Sequence, residues 1–428
     1  MPRRLMHPSR AVAEPPPRVP DRSLTPVEPL PAVAIRASGS HAFVYRKMVE
    51  GPVGAAAPNP GDLVRVLDRD GRHLGFALWN GRSQISLRFL SRQEIPPGPD
   101  FWSRRIAEAV GLRRDVLRLD QQTDAYRIVH AEGDGLSGLV VDRFADVLSV
   151  EVFSLGMYQR IGPILSLLAG QLGTAHFRVG VDERVARQED FTGRPLASPQ
   201  LPPRVTIVEH GIRYRIHFEQ AHKTGFFCDQ RDNRRDLAQF CADRTVLDLC
   251  CYTGGFGLNA LIRGRAREVT GVDLDEKAVA LARENAHANQ VRLDLVHADA
   301  FGYLRQMGLN GRCYGVIVLD PPKLIADRDE IAAGKRKYFD LNVLAMKRVE
   351  PGGLLVTCSC SGLLSAPDFL GLLRAAARTA ERPAQLLWLA GAAADHPVAL
   401  EAPEGAYLKV AWLRLGDPGG SATQEQVR

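Results

Sequence analysis

Two short stretches of this sequence place chemically active side chains where apolar strands end. The stretch LDPPKL carries the carboxylate of Asp320 and the ammonium of Lys323 on either side of two prolines, which stiffen the turn. The stretch TCSCSG carries the thiols of Cys358 and Cys360. A carboxylate so placed can hydrogen-bond the amino group or ring nitrogen of a nucleic-acid base, and a lysine can contact a phosphate. An acid, a lysine and a thiol brought together suit covalent chemistry on a base.

A thiol at such a place can activate a substrate carbon that is otherwise unreactive; carbon 5 of a pyrimidine, a poor nucleophile, is one candidate. When a thiolate adds to carbon 6, carbon 5 can attack a methyl group on a sulfonium; a base then removes the carbon-5 proton and the thiol is eliminated. Cys358 and Cys360 point to the same face of a strand, so alternation does not separate them. Cys360 lies at the strand exit beside Ser361 and Gly362, where a site must open. We therefore predict Cys360 as the nucleophile and Cys358 as a core residue; the alternative is that both only pack.

The stretch TVLDLCCYTGGFGLNALI predicts a binding loop between a strand and a helix. The strand ends at Asp248, and Gly254 and Gly255 let a ligand approach the backbone where the helix offers free N–H donors. The dinucleotide fingerprint GxGxxG is absent, since the order here is TGGFG. A carboxylate before the loop would repel phosphates and favours a ligand with a positive group. Tyr252 and Thr253 belong to the same loop.

Two further acids follow the next two predicted strands. Asp273 comes about 20 residues after the glycine loop, where a carboxylate can accept both hydroxyls of a ribose. Asp299 ends the strand after it. Together with Asp248 they would line one edge of a sheet, the edge at which α/β folds bind ligands. The alternative is that Asp273 and Asp299 only cap the helices that follow them.

The composition indicates a reducing compartment and allows a polyanionic partner. The formal net charge is +6 and the pI is about 9.0. All seven cysteines lie between Cys228 and Cys360 without paired CxxC motifs, which is unlike a disulfide scaffold or a zinc ribbon. We therefore expect no metal. No apolar run reaches the ~18–20 residues of a membrane span, and the opening MPRRLMHPSRAV has no apolar signal region and too much nearby proline for a transit helix. A cytoplasmic location is expected.

The chain is long enough, at 428 residues, for several domains. Proline density in the first segment denies it helix and strand. Alternating apolar and polar residues around Asp70 and Gly71 predict a hairpin in a small β-barrel. The predicted segments are a disordered tail over 1–30, the barrel over 31–98, a central α+β domain over 99–203, a doubly wound α/β domain over 204–416 and a tail over 417–428.

The glycine loop and the acids at successive strand ends resemble the class I S-adenosylmethionine-dependent methyltransferases. The resemblance implies a Rossmann-like methyltransferase sheet and S-adenosylmethionine as the cofactor. It implies that the loop cradles the methionine part, that Asp273 holds the ribose and that Asp299 faces the adenine amino group. The residues expected to bind the cofactor are Asp248, Tyr252, Thr253, Gly254, Gly255, Asp273, Asp299, Asp320 and Gln230.

A narrower resemblance is to the bacterial 23S rRNA (cytosine-5) methyltransferases with an N-terminal PUA domain. It rests on YRIVHAEGDGLSGLVVDRF, FEQAHKTGFFCDQRDNRR, YTGGFGLNAL, DPPK, SCSG and ADHPVALEAPEGAYLKVAWLRL in that order, from about residue 35 to 415. It implies a PUA-like barrel that holds RNA, a lid over 218–235 and a terminal hairpin. This sequence departs from the family in two ways. Its DPPK motif has no second cysteine, so the base that takes the carbon-5 proton is unassigned. Its stretch GSHAFVYRKMVEG only approximates the sequence with which the family's N-terminal domain opens.

The sequence thus favours an RNA methyltransferase that forms 5-methylcytosine in 23S rRNA. Catalysis would use Cys360, Asp320 and Lys323. Within enzymes, the alternatives are methylation of uracil carbon 5 or of a guanine nitrogen, although no aromatic residue follows Pro322 as in amino-methylating motifs. A non-catalytic RNA-binding factor is the alternative from another class. The sequence neither requires nor excludes a homodimer.

Overall fold

The computed structural model describes residues 21–36, 39–219 and 224–418. The two predicted tails therefore lie mostly outside the described residues, as do residues 220–223 of the predicted lid.

Residues 21–30 pack against the folded domains, contrary to the prediction that the segment 1–30 is disordered. Leu24 is buried in a core cluster together with residues of the first two domains. Arg22 pairs with Asp62 and donates Nε to Gln159 Oε1 at 2.9 Å. The prolines prevent helix and strand here, but they do not prevent an extended segment from packing, so the prediction of disorder was wrong for these ten residues.

The first domain is a single six-stranded sheet with the order β2-β6-β5-β4-β1-β3. The hairpin predicted around Asp70 and Gly71 joins β4 to β5, and Gly71 takes the positive φ of 79° that the turn requires. The six strands are β1 Ala32–Ile35, β2 Phe43–Tyr45, β3 Val49–Val53, β4 Leu63–Leu67, β5 His73–Trp79 and β6 Ile85–Ser91.

The central domain packs helices on a five-stranded sheet with the order β11-β10-β9-β8-β7. It shares a hydrophobic core with the first domain, in which Trp102 of the first helix and Phe76 of β5 are both buried. Its elements are α1 Pro99–Gly111, β7 Ala125–His130, β8 Leu139–Phe144, β9 Val147–Val152, α2 Leu155–Tyr158, α3 Ile161–Leu172, β10 His176–Gly180, α4 Glu183–Gln188 and β11 Leu196–Ala197.

A two-stranded hairpin, β12 Arg204–Glu209 and β13 Ile212–His217, leads into a seven-stranded sheet with the order β16-β15-β14-β17-β18-β20-β19. The first five strands in this order are parallel, and the last two join antiparallel. The elements are α5 Arg231–Leu237, β14 Thr245–Leu249, α6 Gly255–Ile262, β15 Glu268–Asp273, α7 Glu276–Ala288, β16 Asp294–His297, α8 Ala300–Leu309, β17 Tyr314–Leu319, α9 Ile331–Met346, β18 Val349–Ser359, α10 Ala366–Thr379, β19 Ala384–Ala390 and β20 Lys409–Leu415.

The strand order reverses between β14 and β17, which makes their carboxyl ends a switch point. In open α/β sheets ligands bind at this place. Alternation along the strands puts Val246, Val316 and Val356 into one core layer, and Leu247 and Ile317 into the layer on the opposite face. The sheet therefore presents side chains from both strand tips to the same crevice.

A buried arginine of the central domain contacts the segment before β20. Arg113 donates to both carboxylate oxygens of Asp134 at 2.5 and 2.9 Å and to the carbonyl of Asp395 at 2.6 Å. A Cβ on Gly133 would lie 1.9 Å from the carbonyl oxygen of Pro397. The GDG turn seen in the sequence is thus a close packing contact between two domains.

Candidate active site

The glycine loop has an unusual backbone. Cys250, Tyr252 and Gly254 take positive φ values of 59°, 48° and 80°. Positive φ costs energy in residues with a Cβ and tends to cluster at functional sites. The strain at Cys250 and Tyr252 has no signal in the sequence, because neither residue type favours this conformation.

The loop is held from two sides by tight packing. A Cβ on Gly254 would lie 3.2 Å from the Leu293 side chain, and one on Gly255 would lie 2.9 Å from Arg234 Cδ. Thr253 is buried, and its carbonyl oxygen accepts a hydrogen bond from Asn285 Nδ2 at 3.0 Å. The predicted loop residues are therefore fixed in position by their neighbours.

Asp248 offers a buried oxygen without a protein partner. Its side chain is 1% exposed; Oδ2 accepts from the Gly257 N–H at 2.9 Å, whereas Oδ1 has no hydrogen-bond partner. Burial, together with Asp320 and Asp273, raises the pKa of Asp248 to about 8. A buried, unsatisfied carboxylate oxygen suits a positively charged ligand group.

Asp273 and Asp299 differ in their structural roles. Asp273 accepts from the backbone N–H groups of Tyr252 at 2.7 Å and Asp275 at 2.9 Å, and it is Asp275 that caps α7. Asp299 is exposed and caps α8 by accepting from Gly302 N at 2.8 Å. Asp299 is therefore a helix cap, as the alternative interpretation held, whereas Asp273 is not. That either residue contacts the cofactor stays a prediction.

Part of the predicted lid touches the glycine loop. The Phe227 and Tyr252 rings meet edge to face with centroids 5.0 Å apart. Tyr252 Oη donates to the Gly225 carbonyl oxygen at 3.3 Å. These contacts place the described end of the 218–235 segment over the loop, in agreement with the position that the resemblance implies.

Gln230 connects the two reactive stretches of the sequence. Its Nε2 donates to Asp320 Oδ2 at 2.9 Å and lies 3.6 Å from Cys358 Sγ, and its Oε1 accepts from Asn233 at 2.8 Å. Burial, followed by the charge of Asp229, raises the pKa of Asp320 to about 7. Gln230 therefore links Asp320 to the thiol of Cys358. The sequence analysis predicted Gln230 as a cofactor-binding residue.

The two thiols of TCSCSG differ in burial. Cys358 is fully buried, and burial raises its pKa well above the usual value. Cys360 is half-buried, packs against the same core layer and follows the last residue of β18. This difference supports the assignment of Cys360 as nucleophile, which stays a prediction. Lys323 is exposed on the turn after β17.

Three polar residues near this site have no local motif that identifies them. Tyr407 Oη donates to Asp229 Oδ2 at 2.5 Å. Lys409 Nζ donates to the carbonyl oxygens of Ser361 at 2.7 Å and Tyr407 at 2.8 Å. One signal was available: Lys409 interrupts the apolar alternation of YLKVAWLRL, where a buried lysine is unusual.

Neither a membrane helix nor a metal cluster is found in the part of the chain that the structure describes. Within residues 21–36, 39–219 and 224–418, no helix combines the length and apolar composition that crossing a membrane takes. Over the same ranges, no group of three or more His, Cys, Asp and Glu side chains could hold a metal ion.

Comparison with known proteins identifies both outer domains. Residues 187–389 match the S-adenosylmethionine-dependent methyltransferase family, and residues 31–92 match the PUA-like domain. The chain is 37% identical over 378 residues to ribosomal RNA large subunit methyltransferase I of Tolumonas auensis, covering 86% of this chain and 94% of the relative. The same-named protein of Shewanella amazonensis is 38% identical over 382 residues, with the same coverage.

Solved structures share the fold at low sequence identity. A putative methyltransferase complexed with SAH superposes with a TM-score of 0.74 at 20% identity, covering 88% of this chain and 96% of that one. A putative SAM-dependent methyltransferase from Streptococcus mutans gives a TM-score of 0.73 at 19% identity, with coverage of 90% and 99%.

The α/β sheet with its ligand crevice at the switch point is that of an S-adenosylmethionine-dependent methyltransferase, carried behind a PUA-like domain. S-adenosylmethionine is its cofactor. Because the identity extends over nearly the whole length of the relatives, the chain belongs to the family of ribosomal RNA large subunit methyltransferase I.

Proposed function

We propose that this protein methylates carbon 5 of a cytosine in 23S rRNA through a covalent adduct with Cys360. The observation that carries the proposal is the half-buried thiol at the carboxyl end of β18, at the edge of the sheet where Asp320 follows the neighbouring strand β17. The name of the relatives, which refers to the RNA of the large ribosomal subunit, supports the class of substrate.

The residues of the crevice fit the cofactor. The unpartnered Oδ1 of Asp248 suits its ammonium group, and Asp273 keeps lone pairs for ribose hydroxyls beyond its two backbone contacts. Gly254 and Gly255 would face the methionine part; Tyr252, Thr253 and Asp299 would complete the site. When bound, the cofactor supplies a methyl group as an electrophile.

Asp320 favours cytosine among the pyrimidines. With a pKa near 7, its carboxyl is protonated in a large fraction of molecules at neutral pH. Gln230 already donates to Oδ2, so Oδ1 can carry a proton toward ring nitrogen 3 of cytosine, which is an acceptor. In uracil the same nitrogen carries a hydrogen and would need an ionised carboxylate. Donation to the ring would draw electrons away from carbon 6 while Cys360 adds there.

RNA binding would use the PUA-like domain and the basic surface. The net charge of +6 supports attraction to RNA, and Lys323 is exposed on the turn beside Asp320, where a phosphate of the substrate can reach it. The target base would have to leave its stack to enter the crevice.

A cytoplasmic location is part of the proposal, since the seven cysteines, all within the described residues, form no disulfide.

Nucleotide-resolution bisulfite mapping of rRNA, with and without the gene, tests the proposal. We expect one cytosine of 23S rRNA to lose its methyl mark in the deletion strain, and the wild-type gene but not Cys360→Ala to restore it. An unchanged methylation map, or full restoration by Cys360→Ala, would refute the proposal.

Three further measurements separate the alternatives. RNA containing 5-fluorocytosine should trap a covalent adduct with the wild type, whereas a lost 5-methyluracil or methylguanosine in digested rRNA would favour another acceptor. Calorimetry with S-adenosylmethionine should show binding; its absence would favour a non-catalytic RNA-binding factor.

A further inference from the structure

The side-chain amide of Gln230 is buried beside Asp320 and has a fixed orientation. Gln230 is 4% exposed, and Asn233 on α5 is 3% exposed. Asn233 Nδ2 donates to the carbonyl oxygen of Gly391 at 3.0 Å and to Gln230 Oε1 at 2.8 Å. Because a carbonyl oxygen can only accept, the nitrogen of Asn233 must face Gly391, and the atom of Gln230 that meets this nitrogen must be its oxygen. The nitrogen of Gln230 is therefore turned toward Asp320.

Both hydrogens of the Gln230 amide nitrogen have partners. A primary amide nitrogen carries two N–H donors. Gln230 Nε2 donates to Asp320 Oδ2 at 2.9 Å and lies 3.6 Å from the sulfur of Cys358, which is fully buried. No N–H of this amide is left for a cofactor, whereas the hydrogen bond to Asp320 acts on a residue of the proposed chemistry.

We propose that Gln230 positions Asp320 and thereby helps to select cytosine. The amide N–H occupies Oδ2, so in the protonated carboxyl Oδ2 is the accepting oxygen and Oδ1 carries the proton. Oδ1 then presents a donor, which matches nitrogen 3 of cytosine and not the N–H of uracil. Without Gln230, either oxygen could carry the proton, and the other could accept from uracil. The inference rests on the proposed function, because it takes Asp320 to contact the target base.

Charged and titratable groups on several elements face Asp320. They are Asp229 before α5, Arg234 on α5, Asp248 on β14, Cys250 in the glycine loop and Cys358 on β18. Burial and the charge of Asp229 raise the pKa of Asp320 to about 7, and Gln230, Cys358 and Arg234 act to lower it. Burial raises the pKa of both thiols above their usual value, so both are neutral near pH 7. An apolar residue in place of Gln230 removes one lowering contribution and should raise the pKa of Asp320 further.

Titration of the full-length protein without RNA or cofactor tests the proposal. The carboxyl carbon of Asp320 is followed by NMR in protein labelled with carbon-13 aspartate, and Asp320→Asn identifies its signal. In Gln230→Met, which keeps an unbranched side chain, we expect the midpoint about one pH unit above the wild-type value of about 7, because a donor to the ionised carboxylate is lost. Gln306→Met, a change in an exposed amide on α8, is the control and should leave the midpoint unchanged. Equal midpoints in Gln230→Met and the wild type would overturn the proposal.

A second variant covers the case in which Gln230→Met does not fold. Gln230→Glu keeps the shape of the side chain, but an ionised carboxylate cannot donate to Asp320 and repels its charge. We expect the midpoint of Asp320 to rise by more than about one pH unit. A midpoint equal to that of the wild type would overturn the proposal here too.

Base selection is measured by methyl transfer to two transcripts. One is 23S rRNA, and the other carries uridine in place of the cytosine that bisulfite mapping identifies. The ratio of the cytosine rate to the uridine rate should fall about tenfold in Gln230→Met relative to the wild type, and an unchanged ratio would overturn the proposal. If the wild type transfers no methyl group to the cytosine, the proposed function alone is refuted, since the titration midpoints of Asp320 do not depend on RNA.

Discussion

Asp248 and Asp320 are acids whose protonation near neutral pH is set mainly by burial. Their pKa values are raised to about 8 and about 7, and in each case a neighbouring carboxylate adds to the effect of burial. Placing acids close together in a crevice costs stability, because their charged forms lose water and repel each other. That cost is consistent with a site built for a cation at Asp248 and for proton donation at Asp320.

Asp248→Asn should stabilise the cofactor-free protein, and more so at higher pH. The native pKa of about 8 exceeds the unfolded value of about 4. The native state therefore holds this proton more tightly, and the wild type loses stability as pH rises from about 4 to about 8. We expect the melting temperature of the variant relative to the wild type to increase from pH 5 to pH 8, while affinity for S-adenosylmethionine falls at least about tenfold. Exposed Asp70→Asn is the control. A pH-independent difference would contradict this account.

Lys323→Ala should weaken RNA binding and leave the cofactor site intact. Loss of one phosphate contact reduces the dependence of log K on log salt by about 1. The measurement is RNA affinity against salt concentration, with calorimetry of S-adenosylmethionine in parallel. Lys337→Ala, a change in an exposed lysine on α9, serves as the control. If the slope of log K against log salt is unchanged, Lys323 does not contact an RNA phosphate.

At the scale of elements, the sequence predicts those parts of the site that lie within a single strand–loop–helix segment. The glycine loop follows β14, Asp273 ends β15 and Asp320 directly follows β17. An apolar run followed by an acid is a local pattern that the sequence shows. The assignment of Gln230 to the cofactor stays a prediction; its bond to Asp320 could not be predicted, because it depends on how the segment before α5 packs on the sheet. The Tyr407 contact with Asp229 spans 178 residues and the Lys409 contact with Ser361 spans 48, and no local spacing predicts either contact.

Gly255→Ala tests how tightly the loop is built. The added Cβ would lie 2.9 Å from Arg234 Cδ, and Arg234 cannot easily move because its guanidinium is paired with buried Glu209 at 2.7 and 2.8 Å. We expect a loss of about 1–3 kcal/mol in the free energy of unfolding. Gly371→Ala on α10, where nothing lies within 4 Å of the new Cβ, should be neutral or stabilising by up to about 1 kcal/mol. Urea denaturation measures both, and equal effects would contradict the packing argument.

At the scale of the whole molecule, the central domain contacts the segment between β19 and β20, which lies next to the candidate site. Asp395 accepts both donors of Arg231 at 2.9 and 3.0 Å and the Arg127 N–H of β7 at 2.9 Å. The same segment leads to Tyr407 and Lys409, which contact the predicted nucleophile's surroundings. The central domain therefore positions a part of the catalytic crevice as well as joining it to the PUA-like domain.

Asp395→Asn should destabilise the protein strongly at neutral pH. Burial acts to raise the pKa of Asp395, but His396 and Arg231 outweigh it and hold the pKa well below its usual range. A carboxylate with a depressed pKa contributes stability above its unfolded value of about 4, and this contribution is lost as pH falls below that value. The variant leaves the buried Arg231 charge with only Asp232, at 3.5 Å, as an acidic partner, so we expect a loss of about 3–5 kcal/mol at pH 7.

Urea denaturation at pH 7 and at about pH 2.5 measures this effect, with Asp368→Asn as the matched control. Asp368 pairs with Lys335 at 3.2 Å on the surface, where such pairs contribute at most about 1 kcal/mol. The difference between the wild type and Asp395→Asn should be smaller at about pH 2.5 than at pH 7, because the contribution is lost only below about pH 4. Equal losses for the two variants at pH 7 would mean that the buried pair does not stabilise the fold. If the pair does hold the segment before β20 against α5, Asp395→Asn should also speed the alkylation of Cys358, because loosening that segment opens the crevice to solvent.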